Sequence, residues 1–161
     1  MEEWKDIKGF EGLYQVSTLG RVRSLDRYVK AKSASLKLIK GCIIKTWINR
    51  CGYVQVHLCK NSHTKPHLVH RLVAEAFISN PNNYPCVNHK SEKKTENNVE
   101  NLEWCTYSYN TKFGTCPERR SKSLSGENNP QYGKHHSEER KRKIAQSVKE
   151  TLALKRNNTT I

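Results

Sequence analysis

The sequence predicts an α+β fold: a small antiparallel sheet region, a ββα unit after it, and an extended basic arm that ends in a helix. Three observations predict this. Short runs of β-branched and aromatic residues, punctuated by glycine, fill the first third of the chain. One strongly amphipathic helix follows. Beyond Gly114 aliphatic residues become scarce until a final charged helix.

In order along the chain, "EEWKDIKGFEGLYQVSTLGRVRSL" reads as short strands, with Leu13, Tyr14, Val16, Val22 and Leu25 as strand formers between Gly9, Gly12 and Gly20. Arg27 to Lys40 is polar and basic and is expected to be a loop. "GCIIKTWI" and "YVQVHLCK" form a hairpin around Asn49–Gly52, and in its second strand Val54, Val56 and Leu58 alternate with Gln55 and His57, the period of a half-buried strand. "HLVHRLVAEAFI" is a helix whose rows Leu68, Leu72, Ala76 and Val69, Val73, Phe77 make one broad apolar face. Asn80–Pro81 ends it. A strand at Cys86–His89, a long polar loop and a strand at Leu102–Cys105 lead to a helix from Thr106, its N-cap, to about Phe113. "SGENNPQYGKHH" lacks the aliphatics for a core of its own. The last helix opens with Ser137 as N-cap and Glu138 and Glu139 in the first turn, and carries a single apolar row, Ile144, Val148 and Leu152. The organisation expected is a β-rich segment 1–65, a central segment 66–115 and a C-terminal arm 116–161.

The net charge of +14 calls for a polyanionic partner, nucleic acid first. A basic membrane helix fits less well, because the most basic stretch lacks a broad apolar face. The excess charge lies in the two flanks; segment 66–115 carries 5 Lys/Arg against 5 Asp/Glu. This is the pattern of a protein that holds a polyanion with its ends and acts on it with its middle. Six cysteines occur without a single CxxC pair, which disfavours structural zinc, and no apolar stretch reaches membrane-spanning length. With no apolar leader at "MEEWKD", reduced thiols in an intracellular compartment are the expectation.

Within the neutral middle, His89 ends one strand, Asn101 begins the next and Asn110 lies one to two turns into the following helix. Asn88 and His89 are sequence neighbours, so they share a space only where the strand ends. One imidazole and amide oxygens around a small site suit phosphodiester hydrolysis: the histidine takes a proton from water and a hard cation on the oxygens neutralises developing charge. A lone histidine among asparagines is otherwise an ordinary hydrogen-bonded loop residue, and His70 and Arg71, at the start of a buried helix, read equally as packing.

These stretches resemble the H-N-H endonucleases of the ββα-metal type, in particular the small intron-borne homing endonucleases of phages. "VHRLVAEAFISNP", "VNHK" and "NNVENLEWCT" are similar to their nuclease core. The N-terminal stretch quoted above is similar to a modular motif that often precedes that core, and "SGENNPQYGKHHSEERKRKI" to a nuclease-associated DNA-binding motif that often follows. The resemblance implies His89 as general base, Asn101 as the amide that braces the hairpin loop, Asn88 and Asn110 as ligands of one Mg²⁺ or Mn²⁺, and Trp104 as a core residue beneath them. Two amides bring no charge, so cation binding is expected to depend on a DNA phosphate. The usual Asp-Gly after the histidine is replaced by Ser91–Glu92, which bears on the loop's conformation.

The expected partner is double-stranded DNA, bound by a monomer in the host cytoplasm or nucleoid. Asn128, Asn129, Gln131 and Tyr132 are candidates for base edges or sugars. Lys134, Arg140, Lys141, Arg142 and Lys143 are candidates for phosphates, with Arg21, Arg23 and Arg71 as further ones. The function expected is a site-specific homing endonuclease that nicks one strand per monomer. The alternative is a DNA-binding regulator derived from such a nuclease and no longer catalytic.

Overall fold

Short strands have too little surface to form a core alone, and here strands from three sheets pack on one helix. The computed structural model describes residues 1–30 and 35–157. Strands β1 (Trp4–Asp6), β2 (Tyr14–Ser17) and β3 (Val22–Ser24) form an antiparallel sheet. A second sheet contains β6 (Trp47–Ile48), β7 (Val54–Lys60) and β8 (His63–Leu68), preceded in the chain by β4 (Arg27–Lys30) and β5 (Leu36–Ile39), which pair with each other. Helix α1 (Val69–Phe77) then leads to β9 (Cys86–His89), β10 (Leu102–Cys105) and α2 (Tyr107–Lys112).

Residues 1–117 form one compact unit around a single core. Val16 and Val22 from the first sheet, Val56 and Leu58 from the second, Val69, Leu72 and Val73 from α1, and Val87 and Leu102 from the β9–β10 ribbon all pack together. The point between residues 65 and 66 therefore lies inside β8, and both sides of it share that core. The Tyr14 hydroxyl adds a polar tie: it donates to Cys59 O at 3.2 Å and accepts from Cys59 N at 3.3 Å, linking β2 to β7. Leu58 is fully buried. Leu58→Ala is expected to destabilise this unit by about 2–5 kcal/mol through lost burial and a residual cavity. Urea unfolding of the two proteins measures it, and an unchanged midpoint would place the core elsewhere.

Three features depart from the sequence-based expectation. Residues 31–34 lie outside the described residues, and on either side of them segment 27–40 pairs as an antiparallel ribbon in place of a loop, with Arg27 opposite Ile39 and Lys30 opposite Leu36. Its Tyr28, Leu36 and Leu38 remain exposed. Cross-strand pairing holds this ribbon without burial, so the hydrophobic pattern gives no sign of it. The chain before α1 stays extended through Leu68 because β8 pairs along its whole length with β7, from Lys60↔His63 to Gln55↔Leu68. Pro66 is tolerated because β8 is an edge strand. Finally, α3 (Cys116–Leu124) is helical where an extended arm was expected.

Residues 118–161 form a second unit. After a short 3-10 turn at Gly126–Asn128, α4 (Glu138–Asn157) starts where Ser137 Oγ accepts from Arg140 N at 3.3 Å. Ile144, Val148 and Leu152 are about half exposed on it.

Candidate active site

The β9–β10 ribbon is fixed in register, with Leu102 opposite His89 and Glu103 opposite Asn88, and α2 packs against β9. The buried Val87 and Leu102 anchor the ribbon to the core, so the strand end that carries Asn88 and His89 is held by packing on its own neighbours. Thr106 caps α2 through its side chain, which accepts from Tyr109 N at 3.1 Å, and so sets the start of the helix that carries Asn110.

His89 is buried, at 5% exposure. Its Nε2 lies 3.1 Å from Asn97 Oδ1. Burial lowers its pKa below the ordinary histidine value and the Lys94 charge adds to this, against the opposing pull of the Asn97 hydrogen bond and Glu96. His70, from α1, lies ring to ring with His89 at 5.0 Å and with Tyr53 at 5.0 Å. Its pKa is pushed down to about 4 by burial first, then by the charges of His89 and Arg71. Both imidazoles are therefore neutral at pH 7. The Lys94 ammonium sits 4.6 Å above the Tyr53 ring and places a positive charge at the rim of the cluster.

Asn88 is buried, and its Nδ2 donates to Glu103 Oε1 at 2.8 Å. That bond commits the nitrogen end of the amide and leaves Oδ1 as the end available to a cation. Glu103 also acts on Tyr109, whose pKa is raised by desolvation first and by this carboxylate second. The Glu103 carboxylate thus stands beside Asn88, a neighbour that the reading from two amides did not include. Among the described residues no group of three His, Cys, Asp or Glu side chains could hold a metal ion.

The loop between the two strands is organised by Asn101, the last residue of a 3-10 turn at Val99–Asn101. Its Oδ1 accepts from Ser91 N at 2.8 Å, its Nδ2 donates to Glu96 O at 2.8 Å, and Lys90 N donates to its carbonyl at 2.8 Å. The turn from His89 closes through Glu92 N donating to His89 O at 2.9 Å. Glu92 has φ +58, a conformation that glycine adopts freely and that costs other residues about 1 kcal/mol. Its carboxylate offsets this by accepting from Thr115 N at 2.9 Å and Thr115 Oγ1 at 2.6 Å. Gly114 beside it has φ +54 and no room for a Cβ against that carboxylate. The Ser91–Glu92 loop therefore reaches a tight turn without the glycine.

The candidate DNA-contacting residues fall into two groups. Arg21 is paired with Glu2, and Arg23 donates to Gln15 Oε1 and stacks 4.3 Å from the Trp4 ring centroid. Arg71 donates to Pro85 O at 2.9 Å. These three guanidiniums already have partners in the fold. In the C-terminal unit Asn128, Gln131, Tyr132, Lys134, Arg140, Lys141, Arg142 and Lys143 are exposed, whereas Asn129 is half-buried, its Oδ1 accepting from Gln131 N at 2.9 Å. Lys141 pairs with Glu138 and Lys143 with Glu139, each at 2.7 Å on the helix surface.

Sequence spacing singled out His89, Asn88, Asn101 and Asn110 but passed over Asn97, Glu103 and Tyr53. Glu103 was accessible in principle, since antiparallel pairing of the two expected strands sets it opposite Asn88. Asn97 and Tyr53 carry no such signal.

The segments on either side of the ribbon match two modular motifs. Residues 2–59 match the NUMOD4 motif and residues 119–145 the NUMOD3 motif. The chain is a homologue of the HNH homing endonucleases. It is 38% identical over 108 residues to the DNA endonuclease I-HmuI of Bacillus phage SP01, an alignment that covers 67% of this chain and 55% of that protein. It is 40% identical over 108 residues to an uncharacterized HNH endonuclease of Acanthamoeba polyphaga mimivirus, covering 67% of this chain and 28% of the viral protein. The chain superposes on a solved structure of DNA binding and cleavage by the HNH homing endonuclease I-HmuI with a TM-score of 0.54 at 34% identity, over 74% of this chain and 66% of the other. The chain thus spans about half the length of I-HmuI and about a quarter of the mimivirus protein. No described helix is long and apolar enough to cross a membrane.

Proposed function

We propose that the chain is a site-specific DNA endonuclease of the homing type, which hydrolyses one phosphodiester bond per active site with a histidine base and one divalent cation. The observation that carries this reading is the β9–β10–α2 unit, in which a buried neutral His89 stands beside an amide whose oxygen end is free, on a chain homologous to HNH endonucleases. His89 takes the proton of the attacking water on its ring nitrogen. Its lowered pKa keeps that nitrogen unprotonated at neutral pH. Asn101 ties the loop on either side, so the imidazole does not swing away from the strand end.

The donor set fits a hard cation, because amide and carboxylate oxygens are the ligands that Mg²⁺ and Mn²⁺ prefer. Asn88 and Asn110 would hold it. When bound, it supplies positive charge to the phosphate and to the leaving 3′ oxygen. The products are a 5′ phosphate and a 3′ hydroxyl.

The C-terminal unit supplies duplex affinity. Surface ion pairs such as Lys141–Glu138 are worth little in water and yield readily to a phosphate. Binding should weaken steeply as salt rises.

The test is conversion of supercoiled plasmid carrying the uninterrupted form of the gene's own locus, with Mg²⁺, with Mn²⁺ and with chelator. Open-circle product that requires metal is expected. Tight duplex binding with no cleavage in any metal would replace the enzyme by a DNA-binding regulator.

A further inference from the structure

His89 and Asn97 face each other inside the protein, exposed by only 5% and 6%. The Asn97 amide is held from its other end, because Nδ2 donates to Thr95 O at 3.2 Å. Its oxygen is therefore the atom that meets His89 Nε2 at 3.1 Å. An amide oxygen only accepts, so the ring nitrogen that faces it must carry the proton. A neutral imidazole has one proton to place, and Nδ1 is left with the lone pair.

Asn97 is itself braced by the N-terminal sheet. The turn between β2 and β3 comes over the loop, and Val99 N donates to Thr18 O at 2.8 Å. At the tip, Gly20 has φ +79, and a Cβ there would stand 2.9 Å from both Asn97 Cβ and Asn97 O. Only glycine lets the turn seat this closely. Asn97 is uncharged and Arg21, the one charged residue of the turn, is paired with Glu2, so the seating of the turn on Asn97 needs a purpose other than phosphate contact.

We propose that Asn97 is a positioning residue that selects the Nε2–H tautomer of His89, and that the Gly20 turn is the brace that keeps Asn97 in place. The inference rests on the reading of His89 as the base. It gives the N-terminal segment a role besides DNA contact: it maintains the working face of the imidazole. The hydroxyl-bearing and amide-bearing loop then acts through the ring, touching neither water nor phosphate.

The experiment is ¹⁵N NMR of the histidine rings in the full chain above neutral pH, without metal or DNA, for wild type, Asn97→Leu, Asn97→Asp and Gly20→Ala. Nicking kinetics on the same proteins run alongside. In wild type the Nε2–H pattern is expected for His89. Asn97→Leu should lose that preference and lower kcat by about 10–100-fold with KM for DNA little changed, the size typical of losing a group that orients an imidazole in a metal site. Asn97→Asp keeps an acceptor and should recover the tautomer and most of kcat. Gly20→Ala leaves the amide in the sequence, yet should broaden or shift the His89 signals and lower kcat.

A wild-type His89 in the Nδ1–H form, or an Asn97→Leu protein with unchanged tautomer, overturns the proposal. An unchanged His89 signal in Gly20→Ala overturns the brace. The spectra decide these points even if wild type cuts no DNA, in which case the nuclease reading fails separately.

Discussion

His89→Ala is expected to lower metal-dependent nicking by about 10²–10⁴-fold, the usual contribution of a positioned general base, with duplex affinity nearly unchanged. The ring is buried against His70 and lies 6.1 Å from Tyr53, whereas the exposed lysines and arginines of α4 belong to the second unit. Losing it removes proton transfer and leaves the basic surface of the C-terminal unit as it was. Burial lowers the pKa, so the wild-type rate should rise with pH through a value below that of an ordinary histidine and be level at neutrality. A plasmid assay paired with a filter-binding assay separates the two effects. Full cleavage by His89→Ala would end the assignment of this residue as the base, and parallel loss of binding and cutting would mean a folding defect.

The second large effect is on acid stability, and it comes from His70. This imidazole is buried at 5% exposure, and its Nδ1 has no hydrogen-bond partner among the described residues. It lies against Tyr53 and against His89, while Arg71 adds a positive charge nearby. In the folded chain its pKa is about 4, against about 6.5 when unfolded. Between those values the unfolded chain binds the extra proton, so stability falls as the pH drops from about 6.5 towards 4 and is fully present above that window. The shift is worth on the order of 3 kcal/mol at most. His89 and His67 are lowered in the same direction, so they steepen the same slope. Urea unfolding across this pH range should show the loss, and His70→Leu should flatten the slope without removing it. An identical slope in His70→Leu would mean that the acid sensitivity comes from the other groups.

The parts of the site that were legible in the sequence are those tied to local geometry. His89 at a strand end, Asn101 before the next strand and Asn110 in a capped helix follow from turn chemistry and from the spacing of one ββα unit. The Thr106 cap could be read directly, because the capping bond spans only three residues. Ser91–Glu92 was legible as a departure, but its outcome was not. Whether Glu92 could hold a left-handed turn depended on Thr115, distant in the chain and beside a glycine that leaves it room. The hairpin β4–β5 was missed for the opposite reason, since it buries too little to produce a hydrophobic rhythm.

By itself, the sequence determined the alternation that makes β7 a half-buried strand, the broad apolar face of α1, the basic flanks around a neutral centre, and the order of histidine and asparagines in the ββα unit. Each of these is a short-range property, set by residues within a few turns or strand repeats of each other. Only the tertiary structure decided which groups surround His89. Tyr53 arrives from the turn before β7, His70 from α1, and the Gly20 turn from the first sheet reaches Asn97, which faces the ring. Periodicity says that a face is buried, but it does not say against what. That is set by how the first unit closes around its core, and here the closure places the N-terminal sheet against the loop that faces His89.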